Sequence, residues 1–193
     1  MNTKLNLVKD LKKVGVSVTS VWDLVNGPNN YDAAQHVLIK YLQTDEDLWF
    51  KEGIVRALGV KGFNDAIPYL LKEYKNSNDE LYKWAIGNTI ANIKPKEALN
   101  ELIEIMGDRK HGSARQMIAE ALGRIGDKAS VPVLIESLDD EEVAGHAVVA
   151  LGLIGDESAI EKINPFLNHE MRWIRKAAEK AIKKIEKKTR KTK

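Results

Sequence analysis

The sequence lacks cysteine altogether, and it has only five prolines. Without cysteine, a disulfide framework, a thiolate metal site and a cysteine nucleophile are all excluded. No apolar run approaches the roughly 18 residues that a membrane-spanning helix needs. The N-terminal segment MNTKLNLVKDLKK alternates apolar and charged residues at helical spacing, which is not the pattern of a signal peptide. We therefore expect a cytoplasmic protein that does not bind a membrane.

An excess of charge of one sign is also lacking over most of the chain. Residues 175–193 contain ten Lys or Arg against two Glu, whereas the formal net charge of the whole chain is only +2. The remainder is therefore mildly acidic. A dedicated nucleic-acid binder usually shows a basic stripe along its binding face. The charge distribution thus makes nucleic acid an unlikely partner and confines the basic residues to the C-terminal end.

What the sequence does contain is a repeat. The segment ARQMIAEALGRIGDKASVPVLIESLDDEE begins at Ala114, and VAGHAVVALGLIGDESAIEKINPFLNHEM begins at Val143. Each predicts a helix that ends in Ala-Leu-Gly-x-Ile-Gly-Asp, followed by a shorter helix. Equivalent positions recur at a period of about 31 residues. They are Leu24, Ala57, Thr89, Ala121, Ala150 and Ala181.

The residues at the helix ends support this reading. Gly126 and Gly155 are expected to adopt the left-handed conformation that ends a helix, and Asp127 and Asp156 to cap the next one. The pattern predicts six helix pairs and no strand. The predicted helices are 3–14 and 17–26, 30–43 and 47–59, 63–76 and 79–93, 95–107 and 112–125, 128–138 and 141–154, and 157–168 and 171–188. The fold class is therefore all-α, a right-handed α-solenoid (α-α superhelix) of about six helix pairs.

The central repeats resemble the HEAT-type repeats of phycobilin lyases and of many other bacterial and archaeal proteins, whose pattern is roughly V-R-x-x-A-A-x-A-L-G-x-I-G-D-x-x-A-V-x-x-L. The segment 174–178 reads IRKAA and matches its start, and 150–156 reads ALGLIGD and matches its middle. The segment 92–95, NIKP, departs from it because it lacks Gly-Asp. We expect one HEAT-repeat domain over 1–193, with a divergent N-terminal region (1–46), clear repeats (47–187) and a basic tail (188–193).

The resemblance also implies that the second helix of each pair lines a concave surface. The outward positions of these helices predict a partner-binding groove. It consists of Trp49, Glu52, Arg56, Trp84, Asn88, Gln116, Glu120 and His146. Tryptophan and arginine are typical interface anchors. Neighbouring small residues, namely Gly53, Ala85, Gly145 and Ala177, are expected to leave room for the partner. In the alternative interpretation, Trp84 and Met117 pack between repeats and the glycines relieve crowding.

The sequence predicts no catalytic residue, cofactor or metal site. The four histidines, His36, His111, His146 and His169, are too far apart in sequence for a helical zinc motif. His169-Glu170 is similar to the His-Glu pairs of deoxyhypusine hydroxylases, but one pair cannot assemble a di-iron site. The acidic run 139–142 is interpreted as a solvated turn. Lys51, Lys83, Arg115 and Arg175 occupy the Arg position of the repeat, where we favour a structural role over a phosphate-binding one.

These observations predict a non-enzymatic scaffold or adaptor that binds another protein in the groove. Two alternatives stay open. One is a nucleic-acid-binding or DNA-repair protein similar to HEAT-like DNA glycosylases, although the predicted groove is close to neutral in charge and phosphate binding favours a basic one. The other is a bilin-lyase-like accessory factor, which the resemblance suggests through the shared repeat alone.

Overall fold

The computed structural model describes residues 3–28 and 30–192, and these residues form twelve α-helices and no β-strand. The helices are α1 (Thr3–Lys13), α2 (Trp22–Asn26), α3 (Gln35–Leu42), α4 (Leu48–Ala57), α5 (Ile67–Asn76), α6 (Glu80–Ile93), α7 (Leu99–Gly107), α8 (Arg115–Ile125), α9 (Val131–Glu136), α10 (Ala144–Ile154), α11 (Ile160–Ile163) and α12 (Arg172–Thr192). The prediction of an all-α solenoid built from helix pairs is confirmed.

Most first helices of the pairs start with a 3₁₀ turn. Such turns precede α3, α5, α7, α9 and α11. Several predicted helices are shorter as α-helices than expected, and two of them differ markedly. The helix predicted at 17–26 is limited to α2, and the one predicted at 157–168 is split into α11 and a 3₁₀ helix, Asn164–Asn168. Pro165 explains the second difference, because its missing N–H and its ring do not fit a helix interior.

The chain divides into two compact units, Met1–Ile93 and Lys94–Lys193. In the first unit α4 packs against α2, α3 and α6, and α5 packs against α6. In the second unit α10 packs against α8, α9 and α12, and α7 packs against α8. Within the units, α4, like α8 and α10, thus contacts both the first helix of its own pair and the second helix of the next pair, as stacked repeats require. A single domain over 1–193 stays a prediction.

The first unit has a core of aromatic and aliphatic side chains, in which buried hydroxyl groups donate hydrogen bonds to backbone carbonyls. Phe50 and Tyr74 are almost fully buried. The hydroxyl of Thr89 donates to the carbonyl of Val55 at 2.9 Å, and that of Tyr31 donates to the carbonyl of Ala57 at 2.9 Å. Thr89 stands where most repeats have alanine, and this hydrogen bond offsets the cost of burying its hydroxyl.

In the second unit the helices approach one another closely. A Cβ atom added to Gly123 would lie 2.7 Å from the Cα of Ala150, and one added to Gly152 would lie 2.7 Å from the Cα of Ala181. No side chain fits at these distances, so glycine is required. The small residues of the repeat thus allow neighbouring second helices of this unit to approach closely.

The connections after α8 and α10 follow the sequence prediction. Gly126 and Gly155 end these helices with φ values of 78° and 76°. The carboxylates of Asp127 and Asp156 then accept the backbone N–H groups of Ala129 and Ser158 at 2.9 and 3.1 Å. Both predicted roles, the left-handed helix end and the N-cap, are confirmed because each depends only on local chemistry.

Candidate partner-binding surface

Trp49 lies at the start of α4 and is 59% exposed. Its ring centroid is 5.1 Å from that of Trp22, and the ammonium of Lys4 lies 5.6 Å from the Trp49 ring centroid. Lys4 also bonds to Asp47 at 2.8 Å, and Asp47 caps α4 by accepting the N–H of Phe50. The exposed indole of Trp49 therefore packs against the ring of Trp22 on one side and lies near the ammonium of Lys4, which Asp47 holds in place.

The other predicted residues of the first unit are partly neutralised or half-buried. The Nε atom of Arg56 donates to Glu52 at 2.8 Å, across one turn of α4. Trp84 and Asn88 lie half-buried on α6, which packs against α4. The pairing of Glu52 with Arg56 leaves this part of the predicted groove with little net charge.

The second unit contains a row of side chains from three consecutive second helices. Glu120 lies on α8, His146 on α10 and Trp173 on α12. The rings of His146 and Trp173 lie 5.5 Å apart at 59°. Burial lowers the pKa of His146 below its ordinary value, although the negative charge of Glu120 opposes this. His146 is therefore mainly neutral near pH 7.

Gln116, the remaining predicted residue of the second unit, bonds to an acidic turn. Its Nε2 atom donates to the backbone carbonyl of Glu142 at 2.8 Å. Of the eight predicted groove residues, five thus lie in the first unit and three in the second. A groove that includes all eight stays a prediction.

The small residues beside the predicted groove do not have the role we expected. A Cβ on Gly145 would lie 2.1 Å from the ring of Trp173, and one on Gly53 would lie 2.6 Å from Val21 and 3.2 Å from the ring of Trp22. Ala85 is fully buried. The prediction that these three positions leave room for a partner is wrong, because side chains of this chain already fill the space. The tryptophans lie about one repeat away in sequence from the glycines, which is the signal that could have revealed the pairing.

Sequence reasoning missed a groove between α10 and α12. Its volume is about 510 Å³, and its walls include Val149, Leu153, Trp173, Lys176, Lys180 and Lys184. Of these walls, Val149 is 39% exposed and Trp173 is 47% exposed. One sequence signal does mark it. Val149 is apolar at a repeat position that is otherwise polar, occupied by Asp23, Arg56, Asn88, Glu120 and Lys180.

The cations at the Arg position of the repeat have a structural role. Arg115 is 2% exposed and donates to Asp140 at 2.6 Å and to the carbonyl of Met106 at 3.3 Å. Lys51 bonds to Glu73 at 3.1 Å, and Arg175 donates to the carbonyl of His169 at 2.6 Å. Lys83 is buried, with its ammonium 5.3 Å from the Tyr74 ring centroid. The preference for a structural role over a phosphate-binding ladder is confirmed.

The acidic run 139–142 is not simply a solvated turn, because Asp140 is buried. Its carboxylate bonds to Arg115 and accepts the N–H of Glu142 at 3.2 Å. Burial raises the pKa of Asp140, but the hydrogen bond and the positive charge of Arg115 outweigh it and hold that pKa below its ordinary value. The interpretation as a solvated turn is therefore wrong at this residue, which joins two repeats.

Nowhere in residues 3–28 and 30–192 do three or more His, Cys, Asp or Glu side chains form a group that could hold a metal ion. None of the helices within those ranges combines the length and the apolar character needed to cross a bilayer.

Comparison with known proteins supports the fold. A family model described as HEAT repeats matches residues 67–143, so this part of the chain consists of HEAT repeats. The crystal structure of an engineered protein aligns over 97% of this chain and 98% of its own, with a TM-score of 0.60 and 23% identity, which shows the fold alone. Human deoxyhypusine hydroxylase in complex with glycerol aligns over 96% of this chain and 97% of its own, with 14% identity. Its TM-score of 0.38 is too low to carry an argument. A search of curated proteins finds no significant match. The finer resemblance to phycobilin lyases stays a prediction.

Proposed function

We propose that this chain is a non-enzymatic scaffold or adaptor that binds another protein through the exposed face of its second helices. HEAT repeats generally serve protein interaction, since stacked helix pairs present an extended surface. The observation that carries the proposal is the environment of Trp173. This indole is seated over Gly145 and beside His146, yet it remains 47% exposed.

An anchor of this kind suits binding for two reasons. Tryptophan is among the residues that contribute most to binding energy at protein interfaces. A side chain that its own neighbours already hold in place also loses less conformational entropy when a partner covers it. Trp49, supported by Trp22, provides a second exposed indole with the same properties in the first unit.

The test is capture of partner proteins from a lysate of the source organism, read by mass spectrometry. We expect wild type to retain a defined protein that Trp173→Ala loses. Leu167→Ala is the matched control, because Leu167 is a large apolar side chain of the same unit that is 37% exposed and lies in the 3₁₀ helix Asn164–Asn168, not on a second helix. Circular dichroism must first show that both variants are folded.

The other outcomes separate the alternatives. If Trp173→Ala retains the same protein as wild type, Trp173 is not the anchor, and a Trp49→Ala variant then tests the first unit. If nucleic acid alone is captured, and its binding weakens steeply with salt, the nucleic-acid alternative replaces the proposal. A bilin-lyase-like role would require an absorbance change when a bilin is added.

A further inference from the structure

The groove between α10 and α12 combines an apolar floor with a basic edge. The floor is formed by Val149 and Leu153 of α10 together with Trp173 of α12. Lys176, Lys180 and Lys184 line one edge. Because they are four residues apart, these lysines lie along one side of α12, over about 12 Å of the helix axis.

The charge of this edge is not neutralised within the described part of the chain. Other lysines of this protein do have partners: Lys4 pairs with Asp47, Lys40 with Asp10 and Lys128 with Asp156, at 2.8 to 2.9 Å. By contrast, the three groove lysines form no ion pair with a described residue, and the described residues that line the groove include no carboxylate. The groove thus exposes apolar surface beside an uncompensated row of positive charge.

We infer that this groove binds an amphipathic helix of a partner protein, with leucine-like side chains on the floor and Asp or Glu residues along the lysines. This inference rests on the proposed protein-binding function and specifies the chemistry of the partner. A helix repeats its side chains every three to four residues, so carboxylates one turn apart match lysines one turn apart. A volume of about 510 Å³ accommodates several apolar side chains of one helix face.

A nucleic acid fits this surface less well. Its phosphates would contact the lysines, but they would leave Val149 and Leu153 without an apolar partner. Phosphate contacts alone also give binding that depends steeply on salt. An acidic amphipathic helix satisfies the floor and the edge at once, and it is the occupant to which both features point.

The probe for the test is a fluorescein-labelled helical peptide of about 18 residues, which spans about 27 Å. It has leucines along one face and glutamates beside them, and a second peptide has glutamine in place of every glutamate. Fluorescence anisotropy measures their affinity for the full chain. We expect the glutamate peptide to bind at least about tenfold more tightly than the glutamine peptide, because charge complementarity across the interface is lost in the latter.

The variants locate the binding to the groove. Lys180→Glu is expected to lower the affinity of the chain for the glutamate peptide by about tenfold or more. Lys183→Glu is the matched control, since it makes the same change of charge on an exposed face of the same helix but lies outside the groove. It should change the affinity by less than about threefold. A third peptide with lysine in place of glutamate should prefer the Lys180→Glu variant over wild type.

Several results would overturn the inference. One is equal affinity for the glutamate and glutamine peptides, and another is an equal loss of affinity in Lys183→Glu and Lys180→Glu. A third is that the glutamate peptide does not bind at all. A DNA duplex that binds wild type more tightly than the glutamate peptide and responds to Lys180→Glu would replace the helix with nucleic acid. If the glutamate peptide does not bind but wild type still captures a protein that Trp173→Ala loses, the inference is wrong and the proposed function stands. If the peptide binds but Trp173→Ala captures the same proteins as wild type, the anchor role proposed for Trp173 is wrong instead.

Discussion

The two units build the same repeat with different residues at equivalent positions. In the first unit the cation at the Arg position is Lys51, which bonds to Glu73 with both side chains about one-fifth exposed, at 17% and 22%. In the second unit it is Arg115, which is almost completely buried and bonds to Asp140. The same repeat position therefore forms a partly exposed ion pair in the first unit and a buried ion pair in the second.

The units also differ in how closely their helices approach. A Cβ on Gly53 in the first unit would meet the side chains of Val21 and Trp22, whereas one on Gly152 in the second would lie 2.6 Å from the Cβ and 2.7 Å from the Cα of Ala181. Side chains can rotate, but the backbone of a packed helix moves only with the whole helix. We therefore expect Gly152 to tolerate a larger residue less well than Gly53.

The largest expected effect is that of breaking the buried ion pair between Arg115 and Asp140. Asp140→Ala removes the carboxylate that compensates Arg115, and leaving a charge buried without its partner should lower the free energy of unfolding by about 3 kcal/mol. Glu73→Gln removes the negative charge beside the partly exposed Lys51 but keeps an acceptor for the hydroxyl of Tyr82, and it should cost about 1 kcal/mol or less. Urea denaturation followed by circular dichroism measures both. Equal losses for the two variants would contradict the distinction between the units.

A smaller effect tests the close helix approach. Gly152→Ala places a methyl group 2.7 Å from the Cα of Ala181, and this overpacking should lower the free energy of unfolding by about 2 kcal/mol. In Gly53→Ala the close contact is with the side chain of Val21, which can shift more easily than a helix backbone, so the gain in helix propensity, about 1 kcal/mol for either variant, offsets more of the cost. Thermal and urea unfolding should therefore show little change for Gly53→Ala. A larger loss for Gly53→Ala than for Gly152→Ala would reverse our ranking.

The smallest effect is a gain in stability. Lys94 has a φ of 60° at the repeat position where Gly126 and Gly155 have 78° and 76°. A side chain in this left-handed region costs about 1 kcal/mol, so Lys94→Gly should raise the free energy of unfolding by about 0.5–1 kcal/mol. Gly126→Ala should lower it by a similar amount. Denaturation midpoints test both changes, and a destabilised Lys94→Gly variant would mean that the lysine side chain makes a stabilising contact that outweighs its strained backbone.

The candidate site was predictable only in part. The exposure of Trp49 and the outward positions of Glu120 and His146 follow from helical periodicity, which the repeat makes clear. The seating of Trp173 over Gly145 and the burial of Asp140 do not, because each depends on the distance between residues in different helices. The departure from Gly-Asp at 92–95 was visible in the sequence, but the strained φ of Lys94 was not.

The sequence by itself determined the number of helix pairs, their approximate bounds and the chemistry of their connections. These depend on local properties, such as apolar periodicity, the backbone freedom of glycine and the capping of helices by aspartate. Only the tertiary structure decided which side chain fills the space above each glycine, which acidic residue neutralises Arg115, and where an apolar groove with a lysine edge remains open. The reason is physical: these features depend on contacts between residues about one repeat apart in sequence, and a repeat pattern that fixes each helix does not fix which of its neighbours will cover it.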